Sequence, residues 1–475
     1  MTFNSIEYLL FFPITFILYW FVFNKTIKLQ NFLILVASYI FYGWWDWRFL
    51  GLILLTSTVD FFMGIKISQE TEKSKKFRWL CISWGLNLLN FFVFKYLGFF
   101  VNSFVDGFSL LGINLVRPTL HIILPIGISF YTLQSLAYTI DVYRGHLKPE
   151  KNYITFLSFV SFFPLLLAGP IERAPSLMPQ FNKPRIFDFN IARDAMRQIL
   201  WGMFKKVVIA DNFAPYVNDI FGHYTEMSGL TLYFGWVLFS IQLYCDFAGY
   251  SDIAVGTGKL FGFNLMRNFK NPFFSPNPQD FWKRWHISLS SWFRDYVYMY
   301  MFGLKKAGTK VAIAMVITFT ISGLWHGADW NFALWGFLNG LFIAIYLTAF
   351  KKYRKITFGD NHLIPPLKEF IMMAITYNFT AFTLVLFRAP GIDAALGYYH
   401  QFFTHTFDPI QWGKIIFVLP MTIFVLFEWV NRHKVHPLED LKYNTFWRWI
   451  IYFGMTVCIV IEMGKPTQSF IYFQF

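Results

Sequence analysis

Trp325-His326-Gly327 stands at the turn of a long apolar hairpin. Residues 311–325 on one side and 330–350 on the other carry no charged side chain. The outer ends are basic, with Lys305, Lys306 and Lys310 before the hairpin and Lys351, Lys352, Arg354 and Lys355 after it. At about 1.5 Å of rise per residue, each arm covers much of a ~30 Å hydrocarbon core. An imidazole at such a turn is a costly polar group, and a polar group inside a membrane protein is a functional candidate by default. Histidine is also the side chain best suited to moving protons near neutral pH.

A second candidate lies in residues 244–300, an aromatic stretch studded with charge. Asn277, Pro278 and Asp280 have the types expected at N-cap, N1 and N3 of a helix. On that helix Trp282, His286, Leu289 and Phe293 form one stripe at 4-3-4 spacing, and Lys283, Ser290 and Arg294 fall on another face. The pattern predicts an amphipathic helix at the membrane interface, with His286 on its aromatic side. A neutral imidazole there would belong to the same site as His326. Each residue also has a structural explanation. His286 could be a core histidine satisfied by one carbonyl, and His326 could be packed against Trp325. Asp246 and Asp252 could pair with Arg or Tyr inside the bundle, while Lys283, Arg284 and Arg294 could meet lipid phosphates. The remaining histidines (121, 146, 223, 362, 400, 405, 433 and 436) fall in loops or near span ends and are assigned no chemistry.

The elements that must position these rings follow from composition. Of 475 residues, 56% are apolar, 22% aromatic and only 14% charged, and the apolar residues come in long runs. A soluble chain of this length cannot hide so many uninterrupted runs, so the chain reads as a polytopic membrane protein. Lipid offers backbone groups no partners, and the runs are too long and too irregular for barrel strands; helices are the remaining solution. Candidate spans are about 6–24, 30–47, 49–66, 79–101, 120–141, 152–170, 196–210, 230–262, 311–326, 330–350, 365–387, 412–430 and 446–464. Pro or charge in 152–170 and 196–210 makes those two candidates for re-entrant or interfacial segments. The expected fold is all-α, with about 11–13 membrane helices in one domain over residues 1–475.

A net charge of +14 in a membrane protein points to basic cytoplasmic loops rather than nucleic acid. Lys25 and Lys28 after the first span, and Lys66, Lys73, Lys75, Lys76 and Arg78 after the third, fall on one side by parity. That side should be cytoplasmic, which puts the N-terminus outside. The first segment lacks the basic start of a cleavable signal peptide and reads as a span. Cys81, Cys245 and Cys458 show neither metal-type spacing nor a disulfide framework. The chain has no internal repeat of the kind many transporter folds carry.

Several blocks resemble the membrane-bound O-acyltransferases, in particular their bacterial alginate-acetylating branch. They are HIILPIGISFYTLQSLAYTIDVYRG (121–145), FFPLLLAGPIERAPSLMPQF (162–181), YCDFAGYSDIAVGTGKLFGFNLMRNFKNPF (244–273), FWKRWHISLSSWFRDYVY (281–298), GLWHGADWNFALWG (323–336), FRAP (387–390) and the terminal FIYFQF (470–475). The likeness runs in order along nearly the whole chain. It implies a helical fold around a funnel or tunnel. By position, His326 matches the family's essential histidine and His286 its second active-site position. The branch implies a further histidine near 339, where this chain has Asn339.

The implied reaction is acyl transfer from a thioester (acetyl-CoA or an acyl carrier) to a hydroxyl, with no tightly bound cofactor and no metal. A hydroxyl is a poor nucleophile at pH 7, so His326 is the expected base, with His286 orienting the carbonyl or sharing proton handling. Tyr250, Ser251 and Asn339 are candidate oxyanion donors. Asp246, Trp325 and Arg284 complete the expected substrate-binding set. The implied acceptor is an extracellular polysaccharide, reached through an extracytoplasmic acyltransferase partner at the bacterial plasma membrane. The FIYFQF tail reads equally as a partner contact or as a headgroup anchor. The alternatives are D-alanyl transfer to teichoic acid, a transporter or flippase, and a non-catalytic scaffold.

Overall fold

Helices built from these runs account for the secondary structure of the computed structural model, which describes residues 1–116, 118, 122–303, 309–350, 363–464, 470 and 471; no strand occurs among them. The flanking Lys305, Lys306, Lys351, Lys352, Arg354 and Lys355, His121, His362 and the last four residues of the FIYFQF tail lie outside the described residues. Seven helical stretches are long and apolar enough to cross a membrane, and three apolar helical segments are shorter. One of the seven, Ile27–Gln69, consists of two twenty-residue helices joined by a single tight turn, Trp47–Phe49. The candidate span at 412–430 is realised as the thirteen-residue helix Val418–Val430. The segment at 196–210 continues helix Phe189–Met203 into a wide π-helical turn, Phe204–Ala210.

The chain forms two compact units. The first holds residues 1–196 and 253–266. Its aromatic interior is tied by hydroxyl and indole donors to one loop: Tyr19 donates to the Phe261 carbonyl at 2.9 Å and Trp20 to that of Leu260 at 3.0 Å. A buried polar knot joins three of its helices. There Asp60 accepts from the Ser83 hydroxyl at 2.6 Å and from the Asn87 amide at 3.0 Å, and Ser83 reaches Thr139 of a third helix at 3.2 Å. Satisfying a buried carboxylate in this way removes most of the cost of taking it out of water.

The second unit holds residues 197–252 and 267–475, including both candidate histidines. Its centre is the hairpin of helices Thr309–His326 and Trp330–Ala349. The two arms touch backbone to backbone. A Cβ built on Gly336 would lie 2.2 Å from the Phe319 carbonyl oxygen, and one on Gly323 would lie 2.2 Å from that of Phe332. Only glycine permits that approach. Helix Leu367–Arg388 packs on the second arm, where Asn331 donates to the carbonyls of Leu386 and Ala389 at 3.1 and 3.0 Å.

Elsewhere in this unit, adjacent lysines of the π-helical turn are buried against carboxylates. Lys205 pairs with Asp252 at 2.6 Å, and Lys206 pairs with Asp246 at 2.7 Å and Asp211 at 2.8 Å. The side chain that neutralises Asp246 is therefore lysine, where the sequence suggested Arg or Tyr.

The segment after Asn277 departs from the expected single helix. Asn277 does cap it, accepting from the Asp280 N–H at 2.8 Å, with Pro278 in the first turn. The helix Pro278–Arg284 then stops. His286 takes a left-handed backbone conformation (φ 42°, ψ 56°), and a new helix begins at Ile287. An amphipathic pattern reports which faces are apolar, and it carries no information on whether the backbone between them is continuous.

Candidate active site

His326 is the last residue of the first hairpin arm, and His286 sits at the break between the two short helices. Both are buried, and their ring centroids are 6.4 Å apart. Aromatic rings fix both imidazoles. Trp325 lies 4.9 Å from His326, Trp335 stands perpendicular to it at 5.3 Å, and Phe387 closes another side at 5.3 Å. Phe247 meets His286 edge-on at 4.6 Å, and Trp325 reaches it at 6.1 Å. With little room to rotate, each ring has a defined position relative to the other.

The two histidines line one cavity of about 270 Å³. Its wall is mostly apolar, from Trp282 and Trp285 near the histidines to Ile343 and Leu347 far along the second arm. Lys283, Arg294, Ser290 and Ser291 add polar groups to the same wall. The sequence placed Lys283, Ser290 and Arg294 on one face, and the structure turns that face to the cavity. Burial lowers the His286 imidazole from its ordinary 6.5 to about 3, so this ring is neutral at physiological pH.

The other expected residues divide. Trp325 is in the cage. Asp246 does not line the cavity; it is tied to Lys206, and its second oxygen accepts the Ile471 N–H at 2.8 Å. Tyr250 packs its ring on Phe470 at 4.8 Å, and Phe470 lies 5.7 Å from Phe247, so Tyr250 stands behind the cage and not in the cavity wall. Ser251 is buried on helix Gly229–Leu260, away from the cavity lining. Asn339 donates to the Trp335 carbonyl at 2.9 Å and to Thr383 at 3.1 Å, bracing the helix that presents Trp335. Arg284 turns back on its own helix to pair with Asp280 at 2.9 Å. Asp246, Asn339 and Arg284 are thus already engaged by protein partners.

Sequence reasoning missed Trp335, Phe387 and Phe247, because nothing distinguishes a caging aromatic from the chain's many packing aromatics. Among the described residues, no group of three or more His, Cys, Asp or Glu side chains could hold a metal ion. The structure brings together two imidazoles beside a mostly apolar cavity with a few hydroxyls and cations on its wall.

A model of the membrane-bound O-acyltransferase family matches residues 146–387, which include both histidines. A probable alginate O-acetylase of Azotobacter vinelandii is 35% identical over 406 residues, covering 85% of this chain and 78% of that protein. A peptidoglycan O-acetyltransferase of Helicobacter pylori is 33% identical over 393 residues, covering 76% of this chain and 72% of that protein. A teichoic acid D-alanyltransferase of Bacillus subtilis is 28% identical over 291 residues, covering 57% of this chain and 70% of that protein. With its spans, its paired histidines and these relatives, the chain belongs to the membrane-bound O-acyltransferase family and is a multi-pass membrane O-acyltransferase.

Proposed function

We propose that the enzyme takes an acetyl group from a cytoplasmic thioester and directs it, across the membrane, to O-acetylation of an extracellular polysaccharide. The observation that carries this reading is the pair of imidazoles, 6.4 Å apart, on the wall of one cavity. His326 accepts the proton of the attacking hydroxyl as its oxygen bonds to the thioester carbonyl carbon. Collapse of the tetrahedral intermediate breaks the carbon–sulfur bond, and the leaving thiolate takes the proton from the imidazolium. Ester and free thiol result, and the histidine is neutral again. General-base assistance of this kind is worth about 10²–10⁴-fold. His286, kept neutral by burial, orients the acyl group.

The cavity's shape supports a donor carried on an extended arm. Leu347 lies about 25 Å along the second helix from its start beside the histidine turn, at about 1.5 Å per residue. The lining runs from the histidines to Ile343 and Leu347 along the second arm, and its mostly apolar wall suits an extended donor arm. On this reading the donor enters from the basic end of the hairpin, where Lys310 is exposed, and the thioester is consumed as substrate. The acceptor hydroxyl arrives from the outer side, on a sugar or on an extracytoplasmic acyltransferase partner. On the same reading the protein sits in the bacterial plasma membrane with its N-terminus outside, which the basic loops after the first and third spans support. Two relatives whose names specify acetyl transfer are more similar than the D-alanyl-transferring one, which favours acetyl as the group moved.

The test is a deletion strain complemented with wild type or His326→Ala, with surface esters released by mild alkali and identified by mass. Acetyl ester restored by wild type and absent with the variant, at equal protein level, is expected. Ester at the normal rate with His326→Ala removes that residue from the mechanism, and released D-alanine in place of acetate refutes the acetyl reading.

A further inference from the structure

The break at His286 raises the question of what holds it open. A helix running on from Pro278–Arg284 would place His286 in ordinary right-handed geometry. It would need the Ile287 N–H on the Lys283 carbonyl and the Ser288 N–H on the Arg284 carbonyl. Three of these four groups are bonded elsewhere. The Ile287 N–H donates instead to the Asn268 carbonyl at 2.9 Å. The Ser288 N–H donates to Asn268 Oδ1 at 3.3 Å, and the Ser288 hydroxyl donates to the same oxygen at 2.6 Å. The Arg284 carbonyl is taken by the Lys270 N–H at 2.9 Å. The segment 268–270 thus takes up both N–H donors and the Arg284 carbonyl that a continuous helix would have used. The new helix starts where this bracket ends, with the Ser290 N–H on the His286 carbonyl at 2.9 Å.

Asn268 and Ser288 are almost wholly buried, at 1% and 0% exposure, so water offers no substitute for these bonds. The orientation of the Asn268 amide is assigned from its partners, since only its oxygen can accept the Ser288 donors. A left-handed backbone on a residue that is neither Gly nor Asn persists only where its surroundings over-determine it, and the bracket supplies that determination.

We infer that Asn268 and Ser288 are positioning residues for the transfer reaction: their hydrogen bonds hold the left-handed turn that sets the His286 ring 6.4 Å from His326, on the wall of the shared cavity. The inference rests on the proposed role of His286. Neither residue touches the cavity itself; both act through the backbone of the histidine they hold.

The experiment is a double-mutant cycle on the full-length chain in the deletion strain. Labelled acetate is pulsed, and the initial rate of alkali-labile surface ester is divided by the membrane level of the protein. Asn268→Ala is expected to lower the rate ten- to a hundred-fold, the scale of a ring displaced by about 1 Å. His286→Ala lowers it strongly, and the double variant is no slower than His286→Ala within about twofold, since there is then no ring left to place. A residue that merely supports the fold would multiply its loss onto the His286→Ala rate, and that result overturns the inference, as does an Asn268→Ala rate within twofold of wild type. If His286→Ala itself turns over normally, the role of His286 in the proposed mechanism fails, and the inference with it; a lost His286→Ala rate beside an unaffected Asn268→Ala rate sinks the inference alone. Should Asn268→Ala fail to accumulate, the same cycle is run with Ser288→Ala, which removes only the hydroxyl's bond. A three- to tenfold loss that vanishes in the His286→Ala background supports the bracket, and a loss that multiplies onto it overturns it.

Discussion

Gly336→Ala is the sharpest probe of how the hairpin sets the site. The added Cβ would fall 2.2 Å from the Phe319 carbonyl oxygen, and real Cβ atoms essentially never approach closer than 3.0 Å. The arms must therefore separate by at least 0.8 Å, and by 1.2 Å to reach the ordinary contact distance of 3.4 Å. Phe319 lies on the helix that ends in His326, and Gly336 follows Trp335, the ring that stands perpendicular to it. The displacement thus acts on the cage itself, and a shift of about 1 Å at a reacting group costs on the order of a hundredfold in rate. Stability should respond far less. Overpacking costs about 1–3 kcal/mol, while replacing a helical glycine by alanine returns about 0.5–1 kcal/mol. The expected outcome is a folded protein with a rate of surface-ester formation lowered about a hundredfold. Gly454→Ala is the control, since a Cβ there meets nothing within 4 Å; it should keep full turnover. If Gly336→Ala works within about threefold of that control at equal protein level, close contact between the arms does not set the geometry of the site.

Two further outcomes follow from buried charge. Lys206→Met strands the carboxylates of Asp246 and Asp211, and breaking a buried pair costs about 3–5 kcal/mol. The purified variant should melt well below wild type in detergent, and Asp246→Asn should restore part of the loss; an unchanged melting temperature would exclude a structural role for the pair. His286 predicts a pH dependence of stability. Its folded value near 3 lies below the unfolded 6.5, so between those limits the unfolded chain binds a proton that the folded chain refuses. Stability from this group is fully present above pH 6.5 and falls with pH by about 1.4 kcal/mol per unit, or about 2 kcal/mol at pH 5. Thermal unfolding at pH 5 and pH 7 should show a steeper loss for wild type than for His286→Asn, and equal slopes would refute the burial argument.

What was legible in the sequence had local causes. The charge-free arms around Trp325-His326-Gly327 could only be membrane-length helices, and Asn277 with Pro278 announced a helix start that the structure reproduces. The pairing of His286 with His326 was legible because both fall on apolar, aromatic faces. What stayed hidden was set by partners distant in sequence. Asp246 offers the same carboxylate to a substrate or to a lysine, and only the fold shows Lys206 there first. Asn339 could offer its amide to an oxyanion or to a neighbouring helix, and only the fold shows Thr383 beside it. The break at His286 is contrary to its own periodicity, because the hydrogen bonds that would continue the helix are taken by a segment 18 residues upstream.

That last departure bears on how the site is held. Local pattern and final backbone disagree at His286, and such disagreements concentrate where function constrains the chain. At His326 the constraint takes another form: two glycines let the arms approach more closely than any side chain would allow. Both imidazoles thus owe their placement to the backbone, one through a strained turn and the other through a glycine contact. Substitutions at Asn268 and Gly336 therefore matter although neither side chain enters the cavity, and they should act on turnover more than on folding. Asp246 and Lys206 form a buried pair away from the cavity wall, and substitutions there should act on folding first.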